Sequence, residues 1–423
     1  MTRVLTDEES GKFDLAFARF RELIDADRID ALQPMGPQAV YTASVTVWLL
    51  IYQRLHAGGS LLDAVHELLR TDAALLPDNR RVRDGTLSRK TGSYSEARKR
   101  LQCHVTDDVA HHLFQSLVAS FPTSLTGRRA FLLDGTTIAL ASTPALRKAF
   151  PPASNQHGEG TWPIAHLLVA HELESGCALL PELGAKFGPH AQSEAELAQA
   201  LMRRLPERSI VIADRNFGIF SVAYAARRLE HDVLFRLTEQ RFRALLRQAK
   251  VSERDQRENA SERSWSLHWR PSKGDRQAHP ELSADAAVDA TLHEVRRGAT
   301  TLWLLTTGPC TTAQAAELYG RRQDVETDIR NVKVVLDMER LPARSPTIMR
   351  KELAISIVAY NLVVQVRRLA AARAKVPPRR LSFASVWSAV RVILLSPQQW
   401  TAAEWRKKFE LAVEVASHHK IPH

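Results

Sequence analysis

Two short apolar runs, each ending on an aspartate, constrain this chain more than any other feature. Phe131-Leu132-Leu133-Asp134-Gly135 and Ser209-Ile210-Val211-Ile212-Ala213-Asp214 have the length and composition of buried strands. Gly135 reads as a turn, with residues 138–141 as the returning strand. Between and beyond these runs, helical and strand-like patterns alternate. Residues 167–171 and 177–180 are strand candidates joined across Ser175-Gly176; residues 193–205 read as a helix capped by Ser193. Residues 220–229 read as a further helix and 232–237 as a strand. Such alternation predicts an α/β fold, whose chemistry sits at the C-terminal ends of strands. One strand-terminal aspartate is commonly a turn or cap residue, but two in one chain mark a candidate site.

A third acid comes from a helical run. Residues 319–333 contain no Gly after Gly320 and no Pro before Pro342, and Thr311 and Thr312 precede them as N-caps. At ~100° per residue, Tyr319, Arg322, Glu326 and Lys333 fall within about 60° of one another, with Arg330 beside them. Leu318, Val325, Ile329, Val332 and Leu336 form an adjoining apolar stripe, while Glu317, Asp324 and Asp328 point to the far side. An amphipathic helix with i,i+4 ion pairs has the same composition. Here the acids and bases segregate, and the mixed face borders the buried one. That suits a carboxylate holding a metal while its neighbours hold phosphates.

The spacing of Tyr319, Arg322, Glu326 and Lys333 resembles the Tyr-Arg-Glu-Lys signature of DDE transposases of the insertion-sequence-four type. The run from Leu336 to Pro346, then Lys351-Glu352-Leu353 and Tyr360-Asn361-Leu362, is similar to that family too, as is Asp214-Arg215-Asn216-Phe217. The resemblance extends more loosely over nearly the whole chain. It implies an RNase H-like catalytic core, a mixed sheet flanked by helices, with Asp134, Asp214 and Glu326 as catalytic triad and metal ligands. It also implies two Mg²⁺ ions, with Mn²⁺ able to substitute, and cut-and-paste transposition through a DNA hairpin. Tyr319, Arg322, Arg330 and Lys333 would contact phosphates. The partners would be double-stranded DNA, at terminal inverted repeats and target, and a second copy of the chain. The setting would be a bacterial cytoplasm, at the nucleoid.

The remainder of the chain divides around that core. Residues 1–125 read as an all-helical N-terminal DNA-binding domain, with helical spacing over 13–24 and 40–55 and a further helix over 61–69. Residues 80–100 hold eight Arg and Lys against Asp84 and Glu96, and Ser93 reads as the N-cap of a helix beginning near Tyr94. Arg98, Lys99 and Arg100 lie in a segment that resembles the family's Ser-Glu-Ala-Arg-Lys-Arg-Leu and are the DNA-contact candidates; a solvated basic face is the plainer account. Residues 126–240 and 309–372 form the two parts of the catalytic domain, separated by a β-rich insertion over 241–308, with a helical region over 373–423. Within the insertion, Trp265 and Trp269 are candidates to stack on a flipped base, although alternating Trp on a strand usually face a core.

Composition narrows the partners. Lys and Arg number 58 against 47 Asp and Glu, a formal charge of +11, which favours a polyanion. Cys103, Cys177 and Cys310 are far apart, so neither a disulfide framework nor a zinc ribbon is indicated. The most apolar run, residues 45–52, is too short to span a bilayer, and the first residues do not read as a signal peptide. A nuclease without strand transfer would share the three carboxylates, and an inactive DNA-binding derivative would retain the basic surface.

Overall fold

The structure, a computed structural model of the chain, describes residues 24–56, 59–70, 76–121, 123, 127–156, 158–251, 262–335, 341, 343–395, 401–418 and 420. The expected helix over 13–24 and residues 336–340 of the family-like run lie outside the described residues, Ile24 excepted.

Every described element ahead of the sheet is helical: α1 (Ala26–Leu32), α2 (Ala43–Leu55), α3 (Leu61–Arg70), α4 (Arg80–Arg83), α5 (Gly92–Arg100) and α6 (Cys103–Ala119). Asp25 and Thr42 start α1 and α2 by accepting first-turn N–H groups. The start of α5 corrects the sequence expectation. Thr91, not Ser93, stands at its N-cap, and its side chain makes no capping bond.

Next come β1 (Ala130–Ala139), α7 (Pro144–Ala149), β2 (Ser154–Asn155), β3 (Gly158–Glu159), β4 (Ile164–Glu172), β5 (Glu182–Ala185) and α8 (Glu194–Met202). They are followed by β6 (Ile210–Ala213), α9 (Phe220–Arg228), β7 (Asp232–Arg236) and α10 (Glu239–Leu246). Then β8 (Lys250–Val251), β9 (Glu262–Trp269), α11 (Lys273–Ala278), β10 (Val288–Arg297) and β11 (Thr300–Thr306) complete one nine-stranded sheet, ordered β5-β4-β1-β6-β7-β11-β10-β9-β8. Strands β1, β6 and β7 run parallel, and the other pairings are antiparallel. The β-rich segment extends the same sheet, because β11 pairs with β7.

Two local expectations fail for physical reasons. Gly135 is not a turn: β1 runs on to Ala139, paired throughout with β4, and Gly135 is absent from the positive-φ glycines. Residues 177–180 do turn back at Gly176 (φ +79°), yet make only an isolated bridge between His171 and Ala178. The Asn361 side chain takes both the N–H and the carbonyl of Ala178, each at 2.8 Å, in place of a strand partner.

Both faces of the sheet are covered. A small core on one face joins Ala130, Leu132, Ile212 and Leu234 to Ala315, Tyr319 and Val325 of α12 (Thr312–Gly320) and α13 (Gln323–Arg330). The other face packs on the main core with α8, α9 and α14 (Pro346–Ala374). By length and composition α14 is apolar enough to cross a membrane, but its most apolar window is 94% buried inside the protein. It packs on α2 and α6 and on the final helices, α15 (Phe383–Leu395) and α16 (Ala402–Ser417).

Charges buried on α14 dock it to α5. Lys351, 1% exposed, donates to the carbonyls of Arg98 and Leu101 at 2.6 Å and of Lys99 at 3.2 Å, satisfying the C-terminal end of α5. Glu352, equally buried, accepts from Arg54 at 3.1 Å and pairs with Arg98. Arg98, expected on DNA, is thus engaged by Glu352, with its side chain 15% exposed. Lys99 and Arg100 remain exposed.

Candidate active site

The site begins as a register. Parallel pairing sets Leu132 beside Ile212, and Ile212 beside Leu234. Side chains alternate faces along a strand, so two residues on, Asp134, Asp214 and Arg236 form the next row on the same face, about 4.8 Å between neighbouring strands. An apolar row under α12 and α13 thus gives way to a charged row where their cover ends. Sequence reasoning placed Asp134 at a strand end; it stands mid-strand in β1, opposite Val169. Asp214 directly follows β6, as expected.

Each aspartate is fixed by a nearby backbone N–H: Asp134 Oδ1 accepts from Gly135 at 3.0 Å, and Asp214 Oδ1 from Asn216 at 2.8 Å. Burial lifts the Asp134 carboxyl to about 6, opposed by the Arg322 cation and the Gly135 N–H, with the charges of Asp214 and Glu194 adding to the rise.

The third acid arrives on a broken helix. Instead of one continuous run, α12 and α13 meet at Arg321–Arg322, and the chain then forms a π turn at Asn331–Val335. At the junction the N–H groups of Arg321 and Arg322 reach back only three residues, to Leu318 and Tyr319. The single-helix wheel fails across this joint, but within α13 the Arg322–Glu326 pair survives. Arg322 bridges the site: Nη1 lies 3.2 Å from Glu326 Oε1, and Nη2 lies 3.2 Å from Asp134 Oδ2. The Glu326 side chain is 57% exposed, against 20% for Asp134.

The opposite side of α13 is anchored. Asp328, fully buried, pairs with Arg379 at 2.6 Å, and Asp324 with the same guanidinium at 3.7 Å. Arg379 also donates to the carbonyls of Glu172 and Leu173 at the end of β4. The far face expected for Asp324 and Asp328 is thus an interior ion pair.

Tyr319 is 9% exposed; burial raises its hydroxyl, and the Arg322 and Arg236 cations oppose the rise. Arg330 is exposed at the end of α13, and Lys333 is half-buried in the π turn. Trp265 and Trp269 lie on β9, four strands from β6, edge-on to Phe242 and Phe220 respectively, and Trp269 is 5% exposed. Neither belongs to the carboxylate site. Sequence reasoning missed Arg236, Glu194 and Arg379. The parallel register would have found Arg236; the other two are joined to the site only by tertiary packing.

Among the described residues, no three His, Cys, Asp or Glu side chains close round one point as ligands do. The donors are nonetheless hard carboxylate oxygens, and burial lifts Asp134 in spite of Arg322, a cost of ionisation that a bound cation would offset. Such a set suits a divalent cation such as Mg²⁺ or Mn²⁺.

A family model described as a transposase DDE domain matches residues 125–362, more than half of the chain. No curated protein matches it.

Proposed function

This chain belongs to the transposase DDE domain family, and on that premise we propose that it cuts the strands at the ends of a mobile element and joins the freed 3′-hydroxyls to target DNA. Asp134, Asp214 and Glu326 are the acting carboxylates. The observation that carries this reading is the bridge at Arg322: one guanidinium joins the Asp134 of the charged row to the Glu326 of α13, from 192 positions further along the chain.

Those three residues would hold the divalent metal on which the family depends. Bound there, the metal supplies charge stabilisation for phosphodiester attack and a nucleophile available at neutral pH. The chain's own groups position the DNA. Arg322 exchanges a carboxylate for a phosphate, a charge-assisted contact of the same geometry. Tyr319, Arg330 and Lys333 continue the track of donors. Lys99 and Arg100 face the element end; Arg100 lines a groove of about 680 Å³ with Arg81, Ser88 and Ser93. The hairpin intermediate, cut-and-paste order and a dimer bridging two DNA ends belong to the same proposal. Trp265, half-buried where Trp269 is buried, is the better of the two for base stacking.

The test is excision of a marker bracketed by the gene's flanking inverted repeats, with Mg²⁺, for wild type and Glu326→Gln. Wild-type excision with an inert variant supports the triad. Equal cutting by both removes Glu326 from the mechanism. Ends cut but never joined would indicate a nuclease, and ends bound but never cut an inactive binder.

A further inference from the structure

The charged row has a support on the opposite face of the sheet. Side-chain alternation points residue 135 away from the face that carries Asp134. Residue 135 is glycine, and its missing Cβ marks an occupied space: a Cβ there would lie 2.0 Å from Glu194 Oε1, 2.6 Å from Cδ and 2.9 Å from Cγ. The Glu194 carboxylate therefore rests on the backbone of β1 directly after Asp134.

Glu194 is held there from two other elements. His166 of β4, 2% exposed, has Nδ1 3.0 Å from the Gln192 carbonyl, a bond that turns Nε2 towards Glu194 Oε1 at 3.6 Å. The Asn216 side chain is close enough to the same carboxylate to favour its charged form, and the Asn216 backbone N–H is the one that holds Asp214. Gly184 of β5 repeats the device, since a Cβ there would lie 2.7 Å from Gln192 Oε1. Two glycines thus let the segment that opens α8 sit flat on the sheet. A continuous path follows: Asp134 to the Gly135 N–H, Gly135 to Glu194, Glu194 to Asn216, and Asn216 to Asp214.

We propose that Glu194 is a positioning residue which, from behind β1, sets the separation and orientation of Asp134 and Asp214. It touches neither DNA nor the reacting atoms; it acts through Gly135 and Asn216. His166 first, at 3.6 Å, and Asn216 after it hold its carboxyl below the usual range against the effect of burial. A free carboxylate with only a packing role would gain nothing from those partners. The inference rests on the triad reading given above.

The experiment compares Glu194→Ala, Glu194→Gln, Asn216→Ala and the Glu194→Ala/Asn216→Ala double variant. Strand cleavage is followed on end DNA, and Mn²⁺ binding to the protein–end complex is followed by the paramagnetic resonance of free Mn²⁺. Glu194→Ala lowers kcat roughly 10- to 100-fold, leaves KM for end DNA within about twofold and weakens Mn²⁺ about tenfold. Asn216→Ala does the same, and the double variant is no worse than either single one, as groups in one chain of contacts are non-additive. Glu194→Gln, which keeps an oxygen for Asn216, returns to within about threefold of wild type. Asn216 is exposed, so its variant tests the link even where Glu194→Ala does not fold. Wild-type kcat and Mn²⁺ affinity in Asn216→Ala, or simple additivity in the double variant, overturn the role. Glu326→Gln serves as control. If it still cuts, the triad reading fails; if it is inert while Asn216→Ala behaves as wild type, only the positioning role fails.

Discussion

Two carboxylates two residues apart on α13 have opposite fates. Glu326 faces the charged row, mostly exposed, and shares Arg322 with Asp134 at 3.2 Å. Asp328 faces the interior, fully buried, and holds Arg379 at 2.6 Å. Both are carboxylates on one helix; desolvation differs. A pair reached by water exchanges partners readily, while a buried pair separates only at the cost of leaving a charge without a counter-ion. The first geometry suits groups that must pass between carboxylate, metal and phosphate. The second suits a hinge pin that keeps α13 in place while they do.

The largest effect that would break this contrast is on the exposed side. Glu326→Gln should lower strand cleavage about 10³-fold, roughly 4 kcal/mol of barrier, with the urea midpoint unchanged. A variant as unstable as it is inactive would make Glu326 a structural residue. On the buried side, Asp328→Ala should lose about 3–5 kcal/mol of folding stability by stranding Arg379, measured by urea unfolding. Asp328→Leu combined with Arg379→Met should recover much of that loss; no recovery would mean that the pair does more than neutralise itself.

A smaller effect sharpens the comparison through pH. The Asp134 carboxyl is raised to about 6 in the folded protein from an ordinary value of 3.8. A raised carboxyl favours folding when protonated, so its penalty is absent below about pH 4, grows between 4 and 6 and is complete above 6. Without metal, Asp134→Asn should therefore be more stable than wild type by about 2–3 kcal/mol at pH 7.5, the difference vanishing near pH 4. A constant difference across that range would mean that the carboxyl does not titrate in the lifted range. Smaller again, Arg322→Ala should cost about 1–2 kcal/mol at pH 7.5 in the same melts, because Glu326 is half in water but Asp134, 20% exposed, loses the cation that opposes its rise, and the cost should shrink towards pH 4.

Strand and helix types were legible because burial leaves a period in the sequence. The runs ending at Asp134 and Asp214 are strands, Ser193 caps α8 within a capping box, and α15 (Phe383–Leu395) falls in the region read as helical. What stayed hidden was exchange between distant segments. Nothing near Gly135 announces that Glu194 fills the space beside it, so its glycine reads as a turn. Nothing near Ala178 announces that Asn361 replaces a strand. Arg98 and Lys99 are adjacent and alike in type, yet one is drawn inward to Glu352 and the other is solvated, a difference decided 254 positions away. The joint at Arg321–Arg322 comes directly after Gly320, which in the sequence is indistinguishable from a tolerated helical glycine.

The ammonium of Lys351 bears on where this chain can be cut. The stretch that matches the family model begins at residue 125, after α5, and ends at residue 362, inside α14. A fragment with those limits would keep Lys351 and Glu352 but lose the three carbonyls and the two guanidiniums that satisfy them. Both charges would then be met by water, and α14 would also lose the apolar faces of α2 and α6 that cover it, leaving buried hydrophobic surface exposed. The boundary drawn by kinship is therefore not a boundary of folding: the candidate carboxylates are inherited with the helices ahead of them, and recombining this core with a foreign N-terminal segment would require replacing α5 and α14 together.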